Sequence, residues 1–205
     1  MHLLTLKDHS IILATTLTDN HTSVKLLKKL GFVFSKEIAN EELTLQLYAI
    51  ENKKANPFFN RTDSDNNDFQ SLVALLDADL AIRDGDEHAF YAQYNKTTAI
   101  RHAVVCYVDD KPVGCGAFKK FDDEKAEIKR MFVLPECRGQ SIGLNILKEL
   151  EQWAAEEQYA VCVLETGKKQ PEAIHLYKKA GYTVIPNYGQ YEGIDNSVCM
   201  LKKLT

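Results

Sequence analysis

Between residues 10 and 50 the spacing of apolar positions changes twice. "SIILATTL" is a short apolar run and reads as a strand. From Asn20 onward, Val24, Leu27 and Leu30 recur at helical spacing, with Asn20 placed to cap the first turn and Gly31 to end it. "FVFSKEI" and "LTLQLYAI" then alternate with period two, as half-buried strands do. A strand–helix–strand–strand of this length is too small to bury its own apolar faces. "ENKKANP" follows as a polar stretch ending in Pro57. These patterns divide the chain into residues 1–50, a linker at 51–56, and residues 57–205.

After Pro57 the alternation starts afresh. "FFNRT" predicts a short strand. "DNNDFQSLVALLDADLAI" predicts an Asp-capped helix with Phe69, Leu72, Val73 and Leu76 along one stripe. "DEHAFYAQYN" predicts a second helix. "HAVVCYV", the turn "DDKP" and "VGCGAF" predict a hairpin. "KAEIKRMFVL" is a longer strand, stopped by Pro135. "SIGLNILKELEQWAAEEQ" carries the strongest helical stripe, through Ile142, Ile146, Leu150 and Trp153. "YAVCVLE" is nearly continuous in apolar residues, the mark of a strand buried on both faces. Pro171 opens a last helix, Gly181 closes it, and "SVCMLKKL" is a final strand. The implied class is α/β or α+β: a mixed central sheet flanked by helices on both faces.

One segment occurs twice. "NHTSVKLLKKLGFVF", from Asn20, aligns without a gap to "QPEAIHLYKKAGYTV", from Gln170. Leu26 matches Leu176, Lys28 and Lys29 match Lys178 and Lys179, Gly31 matches Gly181, and Thr16 upstream matches Thr166. Leu27, however, stands where the second copy has Tyr177.

Composition narrows the function. A formal charge of -4 argues against nonspecific nucleic-acid binding, which needs a basic surface. No apolar run approaches the ~18 residues of a membrane helix, and "MHLLTLKDHSIIL" does not read as a signal peptide. Cys106, Cys115, Cys137, Cys162 and Cys199 are scattered without CxxC spacing. They read as reduced core residues of a cytoplasmic protein, not as a zinc site or a disulfide frame, and no metal site is expected.

The most informative stretch is "VLPECRGQSIG". A strand ends at Pro135, a glycine-containing loop follows, and a long helix starts near Ser141. Free main-chain N–H groups and the helix dipole meet there, so this is a ready anion site. Arg138 adds a positive charge, and Gly139 and Gly143 allow close approach to the main chain. The same letters, Gly139 to Gly143, spell G-x-S-x-G, the nucleophile elbow of serine hydrolases. That alternative needs a downstream acid and histidine, and His175 is the sole histidine after Ser141.

On these residues the chain resembles the GCN5-related N-acetyltransferases over residues 57–205. The family signature [R/Q]-x-x-G-x-[G/A], after a strand ending V-x-P, reads here as Val133-Leu134-Pro135 and then Arg138 to Gly143, with Ser141 in place of the first glycine. A second signature, Asn-x-x-Ala leading to "LY-x-x-x-GF", reads as Gln170, Ala173, Leu176, Tyr177, Gly181 and Tyr182. The resemblance, to a subgroup of small bacterial enzymes, implies the acyl-CoA N-acyltransferase fold and acetyl-CoA as co-substrate. Residues 1–50 then resemble the closing part of a second, truncated unit.

The resemblance also implies roles. The main chain at Met131, Phe132 and Val133 pairs with the pantetheine amides and polarises the thioester carbonyl. Arg138, Gly139, Gln140, Ser141, Ile142 and Gly143 hold the pyrophosphate. Gln170 and Tyr177 line the pantetheine end, with Tyr177 the proton donor to the departing thiolate. An amine acceptor is mostly protonated at neutral pH and needs a base. Glu127 is the first candidate, and Glu165 is the second, as base or as anchor for a cationic acceptor. Tyr188 and Tyr191, in the loop "PNYGQYEG", border the acceptor pocket, and His175 faces solvent. The expected activity is acetyl transfer to a small or amino-acid-like amine, with no nucleic-acid or membrane partner. A noncatalytic cofactor-binding module is the rival. The apolar side chains of residues 1–50 are expected to pack on the complete domain or to form a homodimer contact.

Overall fold

The computed structural model describes residues 2–4, 11–39, 43–51, 57–85 and 100–204. The predicted helix over 86–95 and most of the linker lie outside these residues. The chain forms two compact units, Met1–Ala55 and Asn56–Thr205.

The first unit has strands β1 (His2–Leu4), β2 (Ile11–Leu17), β3 (Val33–Ala39) and β4 (Thr44–Glu51), with helix α1 (His21–Lys29) between β2 and β3. The sheet order is β1-β2-β4-β3, all antiparallel. Asn20 caps α1 as its sequence suggests, its side chain accepting from Ser23 N at 3.0 Å. Gly31 ends the helix at φ 87°, a conformation that suits a residue without Cβ. Leu27 is buried against Ala14 and Tyr48. Leu30, predicted on the same stripe, is the C-cap and 55% exposed. β1 had no counterpart in the sequence reading.

The second unit is built on a seven-stranded sheet. Its strands are β5 (Phe58–Thr62), β6 (His102–Val108), β7 (Lys111–Lys120), β8 (Lys125–Val133), β9 (Val161–Gly167), β10 (Thr183–Ile185) and β11 (Ser197–Lys203). The order is β10-β11-β9-β8-β7-β6-β5, a mixed sheet in which β8 and β9 are parallel and the other neighbours antiparallel. Among the described residues three α-helices accompany it: α2 (Asn67–Asp84), α3 (Ile142–Glu156) and α4 (Pro171–Lys179). Asn66, not an aspartate, caps α2 by accepting from Phe69 N at 2.9 Å.

The continuous apolar runs are explained by cover on both faces. Ala103 and Val105 of β6 pack with Phe69, Leu72, Val73 and Leu76 of α2. Val104 and Cys106, one residue out of phase, pack with Ile146, Leu147 and Leu150 of α3. Four of the five cysteines are buried in the sheet, and all five are free thiols. The β6–β7 turn has Asp109 and Asp110 at φ 49° and 60°, the two left-handed residues that a tight two-residue hairpin needs.

One irregularity shapes the centre. Arg130 stands at φ 59°, and the β7–β8 register shifts there, between Cys115 and Ala117. The bulge bends β8. β8 pairs with β9 only over Lys125–Ile128 and Val161–Leu164, although both strands run further. The edge of β8 at Met131–Val133 therefore has no strand beside it among the described residues.

Ile146 is fully buried between α3 and the sheet, whereas Ile82 on α2 is 83% exposed. Ile146→Ala is expected to lower stability in urea denaturation by about 2–5 kcal/mol. Ile82→Ala should change it by no more than about 0.5 kcal/mol.

Candidate active site

The gap between β8 and β9 opens into a cleft of about 340 Å³. One wall is Met131, Phe132 and Val133 of β8, and the opposite wall is Ala173, Leu176 and Tyr177 of α4. Its floor is the start of α3, where Ile142, Gly143 and Leu144 follow the loop residues Arg138, Gly139 and Ser141. Residues 142–144 lie in the first turn, whose N–H groups have no intrahelical acceptor. They join the positive end of the helix dipole. His175 and Lys179 lie on the same rim as Arg138. The Arg138 side chain reaches back, Nε donating to Val133 O at 3.1 Å.

Ser141 is the N-cap of α3 at φ 62° and makes no side-chain capping bond. It thus holds the left-handed position that the signature gives to glycine. A serine there is strained relative to glycine but leaves the main chain open. Gln140 is exposed and does not line the cleft.

A second, smaller cavity of about 80 Å³ adjoins the first, and the two share Leu76, Met131, Gln170 and Tyr177. Beyond those four it is lined by Lys129 and Arg130, by Glu165, Thr166 and Gly167 of β9, and by the end of α2 at Leu80 and Asp84. Burial together with the Glu165 charge pushes the Tyr177 phenol above its usual range, so it stays protonated at neutral pH. Glu165 is pushed up to about 7, chiefly by burial, against a hydrogen bond from Ser197 and the charge of Lys129. Its Oε1 is buried with no hydrogen-bond partner among the described residues.

Glu127 is placed differently. It is 2% exposed, lines neither cavity, and is held by two lysines: Lys119 Nζ lies 3.2 Å from Oε2 and Lys129 Nζ 3.3 Å from Oε1. Tyr188 Oη donates to Glu127 Oε1 at 3.5 Å, and Lys129 Nζ donates to Tyr191 Oη at 3.4 Å. Tyr188 and Tyr191 thus back the Glu127–Lys129 pair and do not line either cavity. Lys129 and the α2 residues escaped the sequence reading. The i, i+2 spacing of Glu127 and Lys129 on a strand was the available signal for Lys129; nothing local marks Leu76 or Asp84 as cavity residues.

The sequence profile of the acetyltransferase (GNAT) family matches residues 64–182. The chain belongs to this family. An IAA acetyltransferase of Azospirillum brasilense is 39% identical over 94 residues, 45% of this chain and 61% of that protein. An uncharacterized N-acetyltransferase of Schizosaccharomyces pombe is 36% identical over 90 residues, 43% of this chain and 54% of the relative. The chain therefore spans a little over half the length of these relatives. Among solved structures, a candidate acyl-CoA N-acyltransferase from Klebsiella pneumoniae superposes with TM-score 0.63 at 27% identity, over 74% of this chain and 100% of the other. A GNAT acetyltransferase from Elizabethkingia anophelis, solved with acetyl-CoA bound, has the same fold, with TM-score 0.55 at 19% identity over 74% and 100%. The splayed β8–β9 pair and the α3 start are thus parts of a GNAT fold. No helix among the described residues is long and apolar enough to cross a membrane.

The buried Glu165 carboxyl makes stability depend on pH. Its folded value, about 7, lies above the ordinary 4.5, so the native state holds the proton more tightly. This contribution is present at low pH and is lost as pH rises from about 4.5 through 7. Glu165→Gln should therefore gain stability relative to wild type on going from pH 5 to pH 8, by up to about 3 kcal/mol. Parallel urea titrations at the two pH values measure it.

Proposed function

We propose that the unit Asn56–Thr205 is an N-acetyltransferase that moves the acetyl group of acetyl-CoA to the amine of a small acceptor by direct attack. The observation that carries this reading is the pair of cavities meeting at Met131 and Tyr177, one floored by the anion-binding start of α3, the other holding Glu165. The pyrophosphate would rest on the N–H groups at residues 142–144 with Arg138 beside it, and the pantetheine would run along Met131–Val133 as an added strand. The thioester then lies at the shared wall. Main-chain N–H groups near Phe132 and Val133 polarise its carbonyl.

The acceptor enters as an ammonium, and Glu165 in its carboxylate form takes one proton, leaving a neutral amine. The nitrogen attacks the carbonyl carbon and the C–N bond forms. The tetrahedral intermediate collapses with cleavage of the C–S bond. Tyr177 gives its proton to the departing thiolate and recovers one from the nitrogen. Glu165 is favoured over Glu127 because it lines the acceptor cavity with an unbonded oxygen, whereas both oxygens of Glu127 are engaged by lysines. The G-x-S-x-G alternative finds no support, since Ser141 is a left-handed helix cap in an acyltransferase fold. For a noncatalytic module, acetyl-CoA would bind with no thiol released on adding amines.

Acetyl-CoA is expected to raise the melting temperature of the wild type. Tyr177→Phe should retain that shift and lower turnover, followed by thiol release, by roughly 10²- to 10⁴-fold. The wild-type rate should climb with pH through about 7, and Glu165→Gln should abolish that limb. Binding without turnover in the wild type favours the noncatalytic reading.

We further propose that residues 1–50 correspond to the closing part of a second acetyltransferase unit. The β2–α1–β3–β4 order matches β9–α4–β10–β11, with the third strand inserted last in both sheets. Thr16 pairs with Gln46 as Thr166 does with Val198, and Val33 with Ala49 as Thr183 does with Leu201. The first copy has Leu27 and Thr15 where the second has Tyr177 and Glu165. A chain starting at Asn56 is expected to keep thiol release and to lose stability or change its mass in solution. Unchanged melting temperature and mass would leave the segment without a packing role.

A further inference from the structure

The cavity beside Tyr177 presents cations as well as acids. Arg130 has a close counter-charge: its side chain is 4% exposed and Nη1 lies 2.7 Å from Asp77 Oδ1. Lys129 is held more loosely. Its side chain is nine-tenths buried, it lines the cavity with Glu165 and Tyr177, and its two hydrogen-bond partners, Glu127 Oε1 and Tyr191 Oη, are distant at 3.3 and 3.4 Å. An ammonium has three N–H donors, so one has no partner among the described residues.

The local charge count points the same way. Glu127 is shared by Lys119 and Lys129, so one carboxylate offsets two ammonium groups. On the cavity side stand two acids, Asp84 and Glu165. Lys169 Nζ donates to the main-chain carbonyl of Asp84 at 3.3 Å. Glu165 is the proton acceptor in the reading above, so it is neutral once it has deprotonated the acceptor. At that stage Glu127 is the one carboxylate paired with Lys129 among the described residues, and it is shared with the half-exposed Lys119. An anionic group delivered by the acceptor would give the buried ammonium a counter-charge of its own.

We propose that Lys129 is a specificity-determining residue that binds a carboxylate on the acceptor, which places α-amino acids and close analogues in the acceptor class. The inference rests on the acetyltransferase reading. The cavity is only about 80 Å³ and both Lys129 and Glu165 line it, so the acceptor's amine and carboxylate must be near one another. An α-amino acid has them two bonds apart. Its amine faces Glu165 and the shared wall at Met131 and Tyr177, and its carboxylate takes the remaining Lys129 donor. Glu127, Tyr188 and Tyr191 then act as positioning residues, aiming the ammonium from behind.

The test uses the full chain with acetyl-CoA and three sets of acceptors: a panel of L-amino acids, the matching amino-acid amides, and the matching decarboxylated amines. Wild type should turn over at least one amino acid with kcat/KM at least about 10-fold above its amide and amine. Lys129→Gln should raise the KM for that amino acid by about 10- to 100-fold, the usual loss for a charged hydrogen bond. It should leave the KM for acetyl-CoA within about 2-fold, and Lys129→Arg should restore part of the loss. Should Lys129→Gln not fold, the wild-type comparison decides alone. Amides or amines used as well as the amino acids, or no turnover of any amino acid, overturns the assignment. The acetyltransferase reading survives either result if acetyl-CoA raises the melting temperature and any amine releases thiol, so the two failures are distinguishable.

Discussion

The site depends on one strained residue. Arg130 adopts a left-handed conformation within a strand, where a side chain with Cβ is disfavoured, and the surrounding contacts must hold it there. The contact visible is its own: the guanidinium is buried and paired with Asp77 of α2. The extra residue turns β8 out of register with β7, and the strand leaves β9 after Ile128. Everything proposed about chemistry follows from that divergence. The freed edge of β8 can accept a ligand as a strand would, and α3 and α4 start where the gap widens, so the N–H groups of α3 and the ring of Tyr177 both face it.

Charge burial is the second organising feature. Lys119, Glu127 and Lys129 form a row on neighbouring strands, with Glu127 nearly inaccessible. A carboxylate so buried is tolerated because two ammonium groups offset the loss of water. Glu165, without such pairing, holds its proton up to about pH 7. Two glutamates on adjacent parallel strands thus have different surroundings, set by their neighbours. One is locked in an ion-pair row, and the other can exchange a proton near neutral pH.

The two copies of the repeated segment separate folding from chemistry. They share the capping position, the left-handed glycine at the helix end and the strand pairing. In the first, Leu27 packs on Ala14 and Tyr48; in the second, Tyr177 packs in the same layer with Leu164 and Met200. The helix needs a large apolar side chain there, and leucine meets that need as well as tyrosine does. The phenol is therefore an addition to the packing requirement.

Local sequence determined a good deal. Spacing of apolar residues located the helices from Asn67, Ile142 and Pro171 and most strands, because periodicity records which faces are covered. The glycine-containing loop before α3 was legible because a strand, a short turn and a helix start are consecutive in the chain. That Tyr177 lines the cleft was legible through the signature around it. The three-residue β1 and β10, and the bulge at Arg130, left no such mark, since "EIKRMFV" alternates no differently from a regular strand. The different surroundings of Glu127 and Glu165 also lay beyond the sequence. Both are lone glutamates on strands, and their environments come from Lys119, Ser197 and α2, far away in the chain. Only the folded sheet brings those groups together, and burial with partnership, not residue type, sets where a carboxyl holds its proton.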